Sequence, residues 1–194
     1  GVFSQPPRKK GRGMKIQISP VQKLAISKKI KVYTPEELDS DIVKFQIKDL
    51  NPDLIVVMGY GLILPKFILQ TPYFGCINIH VSLLPRWRGA SPIEHAILKG
   101  DKNTGVSIIK LEEKLDSGPI IEQKIIKIDT KINKGELTSK INKVGIMMLK
   151  NIIPKIFNKK IVYKNQNNKY VSYASKITPE MRRIDFNSDV IEVY

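Results

Sequence analysis

Residues 54–58 form a continuous apolar run between Pro52 and Gly59. A run bounded by turn-forming residues is typical of a strand buried on both faces, as strands of parallel sheets are. A second short apolar strand at residues 77–80 follows Gly75, and residues 65–70 between the two strands have a helical pattern. Because strands alternate with helices, the sequence predicts an α/β fold with a mostly parallel sheet.

Three pairs of a hydroxyl residue and proline mark expected helix starts, because the hydroxyl caps the first turn and proline fits the first helical position. The pairs are Ser19-Pro20, Thr34-Pro35 and Ser91-Pro92. In the first helix, the apolar residues expected to face the core are Val21, Leu24 and Ala25. The second helix is expected to carry the apolar residues Ile42, Phe45 and Leu50.

The second half of the chain predicts a strand pair and a long helix. Residues 106–111 and 120–126 have strand patterns and are joined by a turn at residues 116–119. One face of the helix is marked by Leu137, Ile141, Val144 and Met148, and Pro154 should kink or end it. We therefore expect one domain over residues 1–157, followed by a polar linker over residues 158–194.

Composition excludes several classes of protein. One cysteine in the chain forbids an intrachain disulfide and a cysteine-based metal site, and it favours a reducing compartment such as the cytoplasm. No apolar run approaches the roughly 20 residues that span a bilayer, so we expect no membrane partner. Kinase, dehydrogenase and metalloprotease motifs are absent from the sequence, and we expect no metal.

The chain is basic, with 33 Lys or Arg against 18 Asp or Glu and a net charge of +15. Such an excess favours a polyanionic partner, although biased codon usage also produces Lys-rich chains. The location of the charge is therefore more informative. Five cations surround two glycines in one predicted flexible loop: Arg8, Lys9, Lys10, Arg12 and Lys15. This loop could close on a phosphate or a base, or it could be only a solvated surface.

Asn78 and His80 share one face of the second strand, about 6.6 Å apart, because successive side chains alternate. An amide donor and an imidazole at this spacing could serve a substrate carbonyl, by stabilising an oxyanion and moving a proton. The alternative is a structural histidine at a strand end. Cys76 lies on the same face but about 13 Å from His80, which predicts a small core residue rather than a nucleophile.

Asp116 stands in an Asp-x-Gly turn between two predicted strands. Taken alone, this pattern is ordinary turn chemistry. If the fold brings Asp116 beside His80, the carboxylate would orient the imidazole and stabilise its protonated form. The three polar residues would then form one proton-transfer unit.

Taken together, these residues resemble the folate-dependent formyltransferase family. Its hallmarks are an Asn-x-His strand end, a following Ser-Leu-Leu-Pro and a later Asp-x-Gly turn. In this chain they are Asn78, His80, Ser82, Leu83, Leu84, Pro85, Asp116 and Gly118. Further segments resemble the members that act on methionyl-tRNA: Gln5-Pro6, Gly11-Arg12-Gly13, residues 60–65, residues 85–93, residues 173–177 and Arg183-Ile184-Asp185-Phe186.

The resemblance implies a Rossmann-like domain that transfers a formyl group from 10-formyltetrahydrofolate to the α-amine of methionyl initiator tRNA. It assigns catalysis to Asn78, His80 and Asp116. The implied folate contacts are Tyr60, Gly61, Leu62, Ile63, Leu64, Ser82, Leu83, Leu84 and Pro85, with the loop before Asp116. The local charge of the basic loop makes it the expected tRNA contact, with Arg12 as its main anchor, and no DNA partner is expected.

The chain also departs from the family pattern. By this resemblance the family's first strand and glycine loop are missing ahead of Gly1, and its tRNA-contacting β-barrel is missing after Tyr194, so we expect a formyltransferase domain truncated at both ends. Val81 stands where a small residue is usual. Two alternatives stay open at this point. One is a formyltransferase acting on glycinamide ribonucleotide or an amino sugar, and the other is a non-catalytic RNA-binding remnant.

Overall fold

The computed structural model of the protein describes residues 1–184, 186, 187 and 189. In chain order the strands are β1 (Val2–Phe3), β2 (Arg8–Lys10), β3 (Lys15–Gln17), β4 (Val32–Tyr33), β5 (Ile55–Val57), β6 (Cys76–His80), β7 (Arg88–Gly89), β8 (Asn103–Lys110), β9 (Ile120–Lys127) and β10 (Tyr173–Ala174). The α-helices are α1 (Pro20–Ser27), α2 (Asp41–Leu50), α3 (Lys66–Gln70), α4 (Pro92–Leu98) and α5 (Lys134–Phe157).

A four-stranded sheet in the order β5-β6-β8-β9 forms the centre of the fold. β5 and β6 are parallel, and two further parallel pairs join β1 to β4 and β7 to β10. The predicted α/β class is confirmed. The parallel arrangement stops at β6, because β8 is antiparallel to both β6 and β9. Residues 111–119 connect β8 to β9 directly, and antiparallel neighbours need no crossover helix.

The main core lies between this sheet and α5. Leu137, Ile141 and Met148 on α5 are buried in one cluster with Ile79 and Val106 of the sheet, as the helical spacing predicted. Each such side chain stabilises the fold by about 1.5–3 kcal/mol when fully buried. α5 continues past Pro154 and ends three residues later, at Phe157. In the described part of the chain, no helix is long and apolar enough to cross a membrane.

The helix starts follow local capping rules in one case and depart from them in another. Ser19 caps α1 by accepting a hydrogen bond from Gln22 N at 3.0 Å, as predicted. The start predicted at Thr34 is wrong, because α2 begins at Asp41 with Ser40 as its cap. Leu38 is buried between these two positions and packs in the core, so residues 34–40 remain irregular.

The predicted inward faces of α1 and α2 are only partly correct. Ala25 is buried, but Val21 and Leu24 are 56% and 61% exposed. In α2 the buried residues are Val43 and Ile47, one turn apart. The residues expected there, Ile42 and Phe45, lie on the exposed side at 70% and 71%.

The segment predicted as a linker contacts the domain along part of its length. β10 pairs with β7, and the backbone of Lys164 forms two hydrogen bonds with Ile120. Residues 164–175 therefore contribute to the folded structure, while the predicted boundary between residues 157 and 158 stays a prediction. Asp185, part of the Arg-Ile-Asp-Phe motif, lies outside the described residues.

Candidate active site

β6 carries two of the three predicted catalytic residues, Asn78 and His80. The strand lies between β5 and β8, and all five of its residues are buried. Ile77 and Ile79 pack in the main core, so Asn78 and His80 share the opposite face. Their strand is therefore fixed on both edges and on its apolar face.

Asp116 reaches the same point from the loop between β8 and β9. Its Oδ1 accepts a hydrogen bond from Asn78 Nδ2 at 3.3 Å, and its Oδ2 lies 3.5 Å from His80 Nδ1. Oδ2 also accepts a hydrogen bond from the backbone N–H of Gly89 at 2.8 Å. The fold thus brings the three predicted residues together, and the buried carboxylate has the partners that burial demands.

Each ring nitrogen of His80 faces an oxygen. Nε2 lies 2.8 Å from the carbonyl oxygen of Trp87, and Nδ1 faces Asp116 Oδ2. A carbonyl oxygen can only accept, so Nε2 must carry a hydrogen. The Trp87 carbonyl therefore orients the ring, and it leaves Nδ1 directed at Asp116 Oδ2.

A polar cluster orients the carbonyl of Trp87. The Trp87 backbone is left-handed, with φ at +62°, and its N–H donates to Ser172 Oγ at 3.0 Å. Its indole N–H donates to Asp101 at 2.7 Å, and Arg86 donates two hydrogen bonds to the same carboxylate, at 2.9 and 2.6 Å. Burial acts to raise the pKa of Asp101, but the hydrogen bonds from Arg86 and Trp87 outweigh it and hold that pKa below its usual value.

Cys76 packs in a separate core cluster with Val43, Ile47 and Ile68. Its thiol donates to the carbonyl of Ile68 at 3.4 Å, and burial raises its pKa to about 12. The thiolate, which is the nucleophilic form of cysteine, is therefore disfavoured. The prediction of a core residue is confirmed.

The loop that follows β6, which is predicted to contact folate, is fixed by side chains of β8 and β9. Ser107 is fully buried, donates to the carbonyl of Ser82 at 2.6 Å and accepts from Leu84 N at 3.0 Å. Gln123 donates to Ser107 Oγ and to the Leu84 carbonyl, at 2.8 and 2.9 Å. The loop, which comprises Ser82, Leu83, Leu84 and Pro85, is therefore held at the end of the strand that carries His80.

The second predicted folate segment follows β5 and comprises Tyr60, Gly61, Leu62, Ile63 and Leu64. Because β5 and β6 are parallel, both segments lie at the same edge of the sheet, where α/β folds bind ligands. The Tyr60 hydroxyl is buried without a hydrogen-bond partner among the described residues, and burial raises its pKa. Ile63 is 72% exposed. This segment therefore offers a free hydroxyl and an apolar surface.

The loop that precedes Asp116 lines an open cavity of about 440 Å³. Its other wall is formed by α3 residues Lys66, Leu69 and Gln70. The three predicted catalytic side chains do not line this cavity. Among the described residues, no group of three or more His, Cys, Asp or Glu side chains is arranged to hold a metal ion.

The predicted basic loop is a short exposed hairpin. β2 and β3 pair antiparallel around residues 11–14, and all five cationic residues are exposed. Arg8 donates to Gln5 Oε1 at 2.6 Å, and Gln5 Nε2 donates to the Tyr60 carbonyl at 3.0 Å. The base of the hairpin is therefore tied to the Tyr60 segment.

Gln166 and Arg88 were not predicted as site residues, yet they border Asp116. The Gln166 amide donates to the Asp116 carbonyl at 2.8 Å, and Arg88 donates to the Gln166 amide oxygen at 2.7 and 3.1 Å. Gln166 stands in a polar stretch with no periodicity. Only the tertiary contact identifies Gln166, whereas Arg88 stands within residues 85–93, a segment that the family resemblance already singles out.

Comparison with known proteins gives consistent matches. A family model described as formyl transferase matches residues 1–153. Methionyl-tRNA formyltransferases from Dictyoglomus thermophilum and Legionella pneumophila (strain Paris) are 45% and 41% identical over 190 and 192 residues. These alignments cover 97% and 99% of this chain and 61% of each relative. The chain therefore spans about three fifths of the length of the curated relatives it matches.

Solved structures show the same fold. Phosphoribosylglycinamide formyltransferase from Bacillus halodurans matches with a TM-score of 0.61 and 29% identity, covering 74% of this chain and 72% of that one. A sugar 3N-formyltransferase, crystallised in the presence of dTDP and 5-N-formyl-THF, matches with a TM-score of 0.70 and 23% identity. That match covers 89% of this chain and 60% of the other, and at this identity it shows the fold alone.

Proposed function

This chain belongs to the formyl transferase family, and we propose that it transfers the formyl group of 10-formyltetrahydrofolate to the α-amine of methionyl initiator tRNA. The names of its relatives at 41% and 45% identity support this choice of substrate. The observation that carries the chemistry is the buried cluster of Asn78, His80 and Asp116 at the ligand-binding edge of the sheet.

Asn78 donates a hydrogen bond to the formyl oxygen. One hydrogen of its Nδ2 goes to Asp116, which leaves the other for a substrate oxygen. Attack of the amine on the formyl carbon places negative charge on that oxygen, and a donor already in place stabilises the charge. Loss of one such donor typically costs about 10²- to 10³-fold in rate.

His80 and Asp116 move the proton. The amine loses a proton as its bond to the formyl carbon forms, and the leaving nitrogen gains one as its own bond to that carbon breaks. The His80 imidazole can accept and donate a proton, and the Asp116 carboxylate lies where it would stabilise the protonated ring. The 3.5 Å between Nδ1 and Oδ2 is longer than a strong charged hydrogen bond. Contacts of this kind at active sites commonly tighten only when the substrate is bound.

The folate supplies the formyl group when it is bound, and the residues present fit it. The unpaired Tyr60 hydroxyl offers a donor and an acceptor, and the exposed Ile63 side chain offers apolar contact to a ring. The Ser82 to Pro85 loop forms the other side of this edge. A sugar formyltransferase of the same fold was crystallised in the presence of a formyl-tetrahydrofolate, which supports the assignment.

The hairpin supplies the tRNA contact, with Arg8, Lys9, Lys10, Arg12 and Lys15 exposed along it. Gln5 ties its base to the Tyr60 segment, which keeps the cations near the folate edge. Lys and Arg side chains neutralise phosphates and gain from counterion release.

Because aminoacylated initiator tRNA is used in translation, the proposal places the protein in the cytoplasm.

The test supplies the purified chain with 10-formyltetrahydrofolate and either methionyl-tRNA or glycinamide ribonucleotide. Formylmethionyl-tRNA, absent with His80→Ala, is the expected product. Transfer to glycinamide ribonucleotide alone would overturn the proposed acceptor and favour the activity of the Bacillus halodurans neighbour. Binding of tRNA without transfer to either acceptor would overturn the catalytic proposal and favour an RNA-binding remnant.

A further inference from the structure

Gln166 joins the two loops that meet at Asp116. Its Nε2 donates hydrogen bonds to the backbone carbonyls of Asp116 and Gly118, both at 2.8 Å. Its Oε1 accepts from Nε and a terminal nitrogen of Arg88, at 3.1 and 2.7 Å. Both N–H groups and both lone pairs of the amide are therefore used, which fixes its orientation.

The turn at Asp116 needs such support. The Asp116 backbone is left-handed, with φ at +46°, a conformation that persists in a non-glycine residue only where its surroundings enforce it. Gly118 lies so close to the Lys110 carbonyl that no Cβ would fit there. The two hydrogen bonds from Gln166 hold the carbonyls of Asp116 and Gly118, the two constrained residues of this turn.

Arg88 gives Gln166 its own anchor. Arg88 is 6% exposed, and among the described residues its guanidinium donates to Gln166 and pairs with no carboxylate. A buried cation needs an acceptor, and the Gln166 oxygen supplies it. The neighbouring Gly89 N–H donates directly to Asp116 Oδ2. β7 therefore holds the turn twice, once through Gly89 and once through Gln166.

We propose that Gln166 is a positioning residue for Asp116: it holds the turn so that the carboxylate meets Asn78 and His80. Its effect on rate rests on the proposed function, while its effect on the geometry of His80 does not. Gln166 comes from the segment predicted as a linker, so the site extends past residue 157.

The deciding variant is Gln166→Glu. It keeps the size of the side chain and gives Arg88 an ion pair, but a carboxylate has no hydrogen to donate to the two carbonyls. A role limited to packing or to accepting hydrogen bonds from Arg88 predicts wild-type behaviour. The positioning role predicts that kcat falls by about 10- to 10²-fold, as small misplacements at active sites do, with little change in KM for the formyl donor and an altered pH profile of kcat.

A second readout does not depend on activity. The chain has two histidines, so the ¹⁵N spectrum of the labelled imidazoles contains two sets of signals, which a His95→Gln sample assigns. Gln166→Glu should move the His80 nitrogen shifts and their pH titration. Asn165→Ala, the exposed neighbouring position, should leave them unchanged. Gln166→Ala, which removes the same donors without adding charge, should repeat the effect.

The outcomes are separable. Wild-type rates and His80 signals in both Gln166 variants would overturn the proposal, and so would failure of both variants to fold, since Gln166 would then support the whole structure. A wild-type chain that transfers no formyl group would overturn the proposed function, while the nitrogen shifts would still decide the role of Gln166.

Discussion

His80 Nδ1 and Asp116 Oδ2 lie 3.5 Å apart, although one residue belongs to a buried strand and the other to an irregular loop. The strand fixes His80 through its two neighbours in the sheet. The loop is fixed instead by individual contacts, one hydrogen bond from Gly89 N to the carboxylate and two from Gln166 to the backbone. The geometry of the pair therefore depends on contacts from β7 and from residue 166.

Asp116→Asn should lower kcat for formyl transfer by about 10²- to 10⁴-fold, the range that acid–base groups contribute. The amide can still accept the Gly89 hydrogen bond, so the fold should remain intact, but it carries no charge to stabilise protonated His80. Rates measured from pH 5 to 9 and a melting curve check this. A rate and pH profile equal to wild type would return Asp116 to a turn-forming role.

His80→Ala should abolish transfer while folate binding largely persists. The reason is that His80 is proposed to move protons, whereas Tyr60 and the Ser82 loop are proposed to hold the folate. Binding is measured by calorimetry with a non-transferable folate, and rate by product formation, where a loss of about 10²- to 10⁴-fold is expected. Wild-type turnover would exclude His80 from the mechanism, and equal loss of binding would make it a folate contact.

Local sequence patterns predicted the elements that depend on local chemistry. The Ser19 cap and the apolar face of α5 follow rules that act within one or two turns, and both are present. The start at Thr34 failed because burial of Leu38 outweighs a favourable cap sequence. The inward face of α2 failed because tertiary packing selects Val43 and Ile47 instead of Phe45.

The candidate site was predictable where residues shared a strand or a motif. Alternation along β6 placed Asn78 and His80 on one face, and the Asp-x-Gly turn drew attention to Asp116. Gln166 could not be predicted, because its hydrogen bonds join residues far apart in sequence and no periodicity records them. The carbonyl of Trp87 was missed for a similar reason, since every residue carries the same backbone acceptor.

Asp101→Asn should lower the melting temperature at neutral pH. The pKa of Asp101 is depressed in the folded chain, so its carboxylate stabilises the fold above its unfolded pKa, and this contribution is lost as the pH falls through the lower folded value. The wild-type advantage over Asp101→Asn should therefore shrink below about pH 4. Melting curves from pH 3 to 8 check this, and a difference independent of pH would contradict it.

Arg12→Ala should weaken tRNA binding, because Arg12 lies at the exposed turn of the hairpin between Gly11 and Gly13, whose φ angles are +72° and +87°. Arginine binds phosphate through a planar fork and can also stack on a base, whereas the neighbouring lysines act as point charges. Loss of one phosphate contact should reduce the slope of log affinity against log salt by about 0.7 to 0.9. Lys140→Ala, an exposed cation on α5, is the matched control. The hairpin should also resist trypsin when tRNA is bound, and if tRNA gives no protection while Arg12→Ala binds like Lys140→Ala, the hairpin is only a solvated surface.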